Sequence, residues 1–311
     1  AAGLQCYNDF IHLIAKDHMN NESPMVVDLP DGRQLEFRAA GPEDGAVLLF
    51  HHGTPGAGIP FIPMAEAAAK RGLRTIMYSR PGYGISTPQP GRRVIHAASD
   101  AAHVLDAISA TTFRTIGWSG GGPHALACAA ALPDRCLSAV TIASVAPFTG
   151  GQFDWFDGMA DENIEEFGLA LKGAEALTPF LEAFAGAVST ISAEDVASSL
   201  GGLLSEVDKA HMTGEFASWL AETFHIGLSH GIAGQLDDDL AFMSDWGFDL
   251  KNVKRVAVWQ GGQDRMVPYG HGVWLADHIP GAQRRLFPAE GHLSIAVGSF
   301  DRILDDLLSP P

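Results

Sequence analysis

Phe113-Arg114-Thr115-Ile116-Gly117-Trp118-Ser119-Gly120-Gly121 runs from a β-prone stretch into a turn of small residues. The alanine-rich segment from Pro123 to Leu132 follows, and it is a helix former. Strand, tight turn and helix form the context in which G-x-S-x-G is a nucleophile elbow. Such a turn holds the serine on strained backbone with its hydroxyl lifted above the sheet. Side chains in place of Gly117 and Gly121 would collide with neighbouring backbone. The helix start that follows leaves N–H groups directed at the same place.

Four further stretches fall into order around this turn. They are His51-His52-Gly53-Thr54-Pro55-Gly56, Ser79-Arg80-Pro81-Gly82-Tyr83-Gly84-Ile85-Ser86, Gly261-Gly262-Gln263-Asp264-Arg265-Met266-Val267-Pro268 and Glu290-Gly291-His292. With the elbow they span nearly the whole chain, and the chain resembles the α/β-hydrolase superfamily in all five. The order Ser, Asp, His is the one that this fold uses.

The resemblance implies an α/β-hydrolase fold: a mostly parallel central sheet, helices on both faces and an inserted helical cap. It implies Ser119 as nucleophile, His292 as general base and then acid, and Asp264 as the group that holds the imidazole. The H-G-x-P loop places Thr54 and Gly120 as the two backbone donors of an oxyanion hole, with His52 orienting the loop. Arg80 is expected to brace loops near the site. A serine rather than an aspartate at the elbow argues against dehalogenase and epoxide hydrolase chemistry.

Within the superfamily the nearest look is to prolyl iminopeptidases. This chain departs from their H-G-G-P-G and G-G-S-W-G patterns: Thr54 replaces a glycine, and Trp118 precedes the serine. The expectation is therefore a carboxylic ester, thioester or lactone hydrolase acting on a small molecule. The alternatives are an aminopeptidase or amidase, a cofactor-free perhydrolase or haloperoxidase, and a non-catalytic ligand-binding member of the fold. No metal and no organic cofactor is implied.

Composition narrows the partners. The 311 residues are 46% hydrophobic and carry a formal net charge of -17, which leaves no basic surplus for nucleic acid. No apolar run is long enough to span a membrane. Cys6, Cys128 and Cys136 are odd in number and unpatterned, so no disulfide framework is implied and a cytoplasmic setting is expected. Oligomeric state is not legible.

Periodicity supplies the rest. Leu4 to His18 reads as an amphipathic helix in an extension over residues 1–22. Met25–Leu29 and Gln34–Ala39 flank a Pro30-Asp31-Gly32 turn and read as a hairpin. Strands are expected at Val47–Phe50, Leu73–Tyr78, Leu137–Ala143, Val256–Gly261 and Arg284–Phe287. Helices are expected at Phe61–Arg71, Val94–Ala110, Tyr269–His278 and Phe300–Leu308. The first part of the core then covers residues 23–146 and the second 236–311. Between them, over 147–235, helical patterns dominate and define the cap.

That segment is rich in aromatics and acids. Phe148, Phe153, Trp155 and Phe156 directly follow a strand exit and are expected, with Trp118, to wall an apolar acyl pocket. Asp157, Asp161 and Glu162 are candidates to hold a cationic substrate group. His211, His225 and His230 show no metal-ligand spacing.

Overall fold

The computed structural model describes residues 24–148 and 153–309. The helix expected at Leu4–His18 lies outside them. Eight strands form one sheet: β1 (Met25–Asp28), β2 (Gln34–Ala40), β3 (Ala46–His51), β4 (Leu73–Tyr78), β5 (Phe113–Trp118), β6 (Cys136–Ile142), β7 (Val256–Gly261) and β8 (Gln283–Phe287). Their spatial order is β1-β2-β4-β3-β5-β6-β7-β8. β1 and β2 pair antiparallel as the expected hairpin, and β2 pairs antiparallel with β4. From β4 to β8 every pairing is parallel.

Parallel strands need crossover helices, and these cover both faces. The helices of this layer are α1 (Ile62–Ala69), α2 (His96–Ala107) and α3 (Gly122–Ala131). After a long helical segment come α10 (Tyr269–His278), α11 (His292–Gly298) and α12 (Phe300–Leu308). The intervening helices are α4 (Asp161–Ala170), α5 (Ala174–Val188), α6 (Val196–Ser199), α7 (Glu206–Lys209), α8 (Gly214–Gly227) and α9 (Ala233–Phe242). None of the described helices is long and apolar enough to cross a membrane.

Alternation along the central strands divides the core in two. Leu49 of β3 joins Val104, Leu126, Val258 and Leu275 on one face. Its neighbour Leu48 joins Ile116, Val140, Trp259 and Leu304 on the other. Both sets are buried because a central parallel strand has no solvent face.

Strand order decides where a site can form. β3 and β5 are neighbours, with His51 opposite Gly117, so the loops leaving their C-terminal ends meet. β7 and β8 pair with Gly261 opposite Phe287, which brings the Asp264 and His292 loops together. Ligands of open α/β sheets bind outside the carboxyl ends of the strands, where the order reverses.

The elbow is packed too tightly for a Cβ at its glycines. One added at Gly117 would run into the carbonyl of Gly121, and one at Gly121 into the carbonyl oxygen of His51. Both obstacles are backbone, which cannot rotate away. Gly121→Ala is therefore expected to lower stability by about 3 kcal/mol or more. In contrast, Gly186 in α5 has nothing within 4 Å of an added Cβ, and Gly186→Ala should gain about 0.5–1 kcal/mol. Urea unfolding midpoints of the two variants test the contrast; equal midpoints would refute the packing argument.

Candidate active site

Ser119 follows β5 at φ +55°, the left-handed region that a residue with a Cβ rarely adopts. A single 3-10 turn, Ser119–Gly121, leads directly into α3. Gly53 approaches it so closely that a Cβ there would be 3.6 Å from the Ser119 Cβ. The loop after β3 and the elbow after β5 thus form one edge of a cavity of about 140 Å³. Thr54, Gly120, Ser119, Trp118 and His292 all line it.

Asp264 is fixed from several sides. Its Oδ1 accepts the N–H groups of Met266 (2.9 Å) and Val267 (2.8 Å). Its Oδ2 accepts Gln260 Nε2 at 3.1 Å and His292 Nδ1 at 2.8 Å. A carboxylate accepts only, so Nδ1 of His292 carries the proton and Nε2 is left as the basic nitrogen. Burial alone would lower the His292 pKa; the Asp264 charge and hydrogen bond, with Asp208 behind them, reverse this and raise it. Burial raises the Asp264 carboxyl against the pull of His292.

The loop after β3 is held by a buried hub centred on Arg80, the residue expected to brace loops near the site. Arg80 is 1% exposed and Asp238, on α9, 0%. Asp238 Oδ2 accepts Arg80 Nη2 (2.7 Å), Thr54 Oγ1 (2.8 Å) and the Tyr83 hydroxyl (2.9 Å). Its Oδ1 accepts Arg92 Nη2 at 2.6 Å. Burial would raise this carboxyl, but the Arg80 and Arg92 charges hold it well below the usual carboxylate range.

Arg80 in turn donates to the carbonyls of His52 (2.6 Å) and Gly53 (3.1 Å). His52 Nδ1 donates to the same Gly53 oxygen at 2.7 Å, and its Nε2 accepts the Arg80 N–H at 3.2 Å. Burial, with Arg80 nearby, keeps His52 neutral by pushing its pKa well down. In a trans peptide the C=O and N–H point opposite ways. Anchoring the Gly53 carbonyl on Arg80 therefore turns the Thr54 N–H away from Arg80. That N–H has no hydrogen-bond acceptor among the described residues.

The cavity wall is aromatic, but not with the four residues expected. Phe148, Phe153, Trp155 and Phe156 lie outside it. Trp155 Nε1 donates to Ala146 O at 2.8 Å, and Phe153 stacks on Trp274 at 5.6 Å. The chain leaving β6 turns along the flank of α10, so these rings pack there and not over Ser119. Trp118 does line the cavity, joined by Phe167, Phe180, Phe184, Trp219 and Phe224 from α4, α5 and α8.

The acids need a similar correction. Asp157 and Asp161 are exposed and do not line the cavity, whereas Glu162 does. Glu166, Gln235 and Asp239 line it too. Asp239 is 1% exposed and its Oδ2 has no hydrogen-bond partner among the described residues; neither has the buried Oε1 of Gln235. Gln235 Nε2 donates to Glu166 Oε1 at 2.8 Å. Burial and then the Glu166 charge push the Asp239 carboxyl well above the usual range. One signal for these residues was available: Asp237, Asp238 and Asp239 are consecutive, and at 100° per residue three acids cannot share one solvated helix face.

Among the described residues no group of three His, Cys, Asp or Glu is placed to hold a metal ion. A serine, a carboxylate-oriented imidazole and backbone N–H groups at one cavity are groups that can accept and transfer an acyl group.

Comparison with known proteins agrees with this fold. The model of the alpha/beta hydrolase fold family matches residues 46–299. A non-heme chloroperoxidase of Streptomyces lividans is 31% identical over 153 residues, which are 49% of this chain and 55% of that enzyme. The chain thus spans about half the length of that relative. A pimeloyl-[acyl-carrier protein] methyl ester esterase of Xanthomonas campestris is 28% identical over 269 residues, 85% of this chain and 94% of the esterase. The solved structure of an esterase from Exiguobacterium antarcticum superposes with a TM-score of 0.66 at 17% identity, covering 92% of this chain and 100% of that one, a likeness of fold. With the family match running from β3 to the end of α11, the chain belongs to the α/β-hydrolase family.

Proposed function

We propose that the protein is a serine hydrolase that cleaves a carboxylic ester of a small molecule through an acyl-enzyme. The observation that carries this reading is the 2.8 Å bond from His292 Nδ1 to Asp264, with His292 and Ser119 on the wall of one cavity. His292 Nε2 takes the Ser119 proton as Oγ attacks the ester carbonyl carbon. The developing oxyanion is received by the N–H groups of Thr54 and Gly120, each worth about 3 kcal/mol in such a site. The imidazolium then gives its proton to the leaving alcohol, and water repeats the sequence to release the acid. Hydrogen peroxide in place of water would use the same acyl-enzyme, and the chloroperoxidase likeness favours assaying it. Residues 147–235 serve as the cap in this reading.

The cavity size points to a small acyl group. About 140 Å³ is close to the volume of an engineered cavity that takes one benzene ring. A second reading is favoured by Asp239 and Gln235, two residues of the cavity lining whose buried Oδ2 and Oε1 have no hydrogen-bond partner among the described residues. They suit an acyl group bearing an amine, which would make the substrate an aminoacyl ester or amide.

Ser119→Ala is expected to lower kcat roughly 10⁴-fold with the fold retained, and His292→Ala comparably. Asp264→Asn should be as severe, because the imidazole takes the wrong tautomer. Residual activity of the serine variant above about a tenth of the parent would remove Ser119 from the nucleophile's role.

A p-nitrophenyl ester series separates the two substrate readings. The ester reading expects kcat/KM to rise about fourfold per added CH₂, from acetate through the short acyl groups, and then fall once the cavity is full. The amine reading expects aminoacyl naphthylamides to surpass the simple esters, and Asp239→Asn to raise KM for those substrates alone. Flat rates across both series would refute both.

Asp239 also makes a stability test. Its folded pKa lies above the unfolded value, so its contribution is fully present below the ordinary carboxylate range and is lost as pH rises through the folded pKa. Asp239→Asn should therefore raise Tm at pH 8, by on the order of 1 kcal/mol of stability, and less at pH 4. A lower Tm at pH 8 would contradict a strained carboxyl kept for binding.

A further inference from the structure

We propose that Asp208, on α7 of the inserted helical segment, is the positioning residue for His292. The proposal rests on the reading of His292 as the general base. α11 begins at His292, and the residue before it, Gly291, has no side chain with which to satisfy the first N–H groups. Asp208, 84 residues earlier in the chain, satisfies them instead. Its Oδ2 accepts the His292 N–H at 3.1 Å, and its Oδ1 accepts those of Leu293 at 2.8 Å and Ser294 at 3.0 Å. Ser205 Oγ donates to Oδ2 at 2.7 Å and orients the carboxylate. Asp208 is 0% exposed, so these bonds do not compete with water.

Gly291 is shaped by this contact. Its φ of −108° suits any residue, yet a Cβ there would run into both carboxylate oxygens of Asp208. Space for the carboxylate, not backbone conformation, asks for glycine in Glu290-Gly291-His292. Because Asp208 comes from the segment that also walls the cavity, the backbone of the histidine is fastened to that segment. A displacement of α7 would take the support of His292 with it.

The charge matters as well as the geometry. The titratable groups around His292 are Asp264 on the β7 loop, Asp208 on α7, Glu290 just before it and His211 beside Gly298 at the far end of α11; Lys209 is engaged with Glu206. Of these, Asp264 and then Asp208 favour the imidazolium. Removing the Asp208 charge makes His292 a weaker base, which moves the acid limb of the kcat/KM profile to lower pH.

The test compares Asp208→Ala, Asp208→Asn and Gly291→Ala in the full chain, using p-nitrophenyl acetate hydrolysis against pH and thermal melting. Asp208→Ala should lower kcat roughly 100-fold, with KM changed little, as expected when a catalytic group is misplaced by a distant change. Asp208→Asn keeps an acceptor for Leu293 and Ser294 and should recover part of kcat while showing the same shift of the acid limb. Gly291→Ala should cost far less in the Asp208→Ala background than in the parent, because the two act through one contact. A folded Asp208→Ala with kcat within threefold of the parent and an unmoved acid limb would overturn the proposal, whatever its melting temperature. If that variant does not fold, an unmoved limb in Asp208→Asn would overturn it equally. Full activity in Ser119→Ala would instead refute the serine reading beneath it, an outcome that does not depend on Asp208.

Discussion

The ion pair between Arg80 and Asp238 is the constraint on which the rest of the site depends. Both groups are withdrawn from water, and an unpaired charge there would cost several kcal/mol. Both groups make further hydrogen bonds, and the partners are the parts that must be placed. Thr54 and the carbonyls of His52 and Gly53 belong to the loop after β3, Tyr83 and Arg92 to the segment after β4, and Asp238 to α9. Three stretches far apart in sequence are thereby locked in one arrangement. Removing one partner of such a pair typically costs about 3–5 kcal/mol, far more than the pair itself contributes. Its value here is in orientation: the same guanidinium that neutralises Asp238 holds the Gly53 carbonyl and so aims the Thr54 N–H.

Adjacent residues of α9 carry opposite electrostatic solutions. Asp238 faces two guanidinium groups and stays ionised far into acid. Asp239, one step of about 100° around the helix, faces the cavity beside Glu166 and resists ionisation. The first is structural, because all its bonds are made within the protein. The second sits against Glu166 and keeps its buried Oδ2 without a hydrogen-bond partner among the described residues, which is a costly state. Stability surrendered at one wall of a cavity is a common mark of a binding site.

The helical segment between β6 and β7 acts on the site through a few long-range contacts. Asp208 grips the start of α11, Asp238 grips the loop after β3, and the wall of aromatic rings comes from α4, α5 and α8. Besides lining the cavity, it supplies the groups that hold two loops at the strand ends.

Much of this was legible from local pattern. β4 and β7 have the bounds that their apolar runs indicate, α10 and α12 those of their periodicity, and Ser119, Asp264 and His292 follow strands in the order that the family motifs require. These features are local: hydrophobic alternation, glycine where backbone must approach, and turn residues at strand exits. The aromatics misled because a cluster after a strand exit has no direction in sequence. Only packing against α10 sends Phe153 and Trp155 away from Ser119 and lets Phe167 and Trp219 take the wall. Local pattern assigns no role to Asp208, Asp238 or Asp239, since which face of a helix is buried depends on partners 84 residues away in one case and 158 in another. The sequence by itself determined the sheet, the turn after β5 and the family motifs that carry Ser119, Asp264 and His292, because each is set by residues next to one another in the chain. Tertiary structure decided which carboxylates hold the loops at the strand ends and which line the cavity, because burial and charge pairing belong to surfaces that exist only once distant helices have docked.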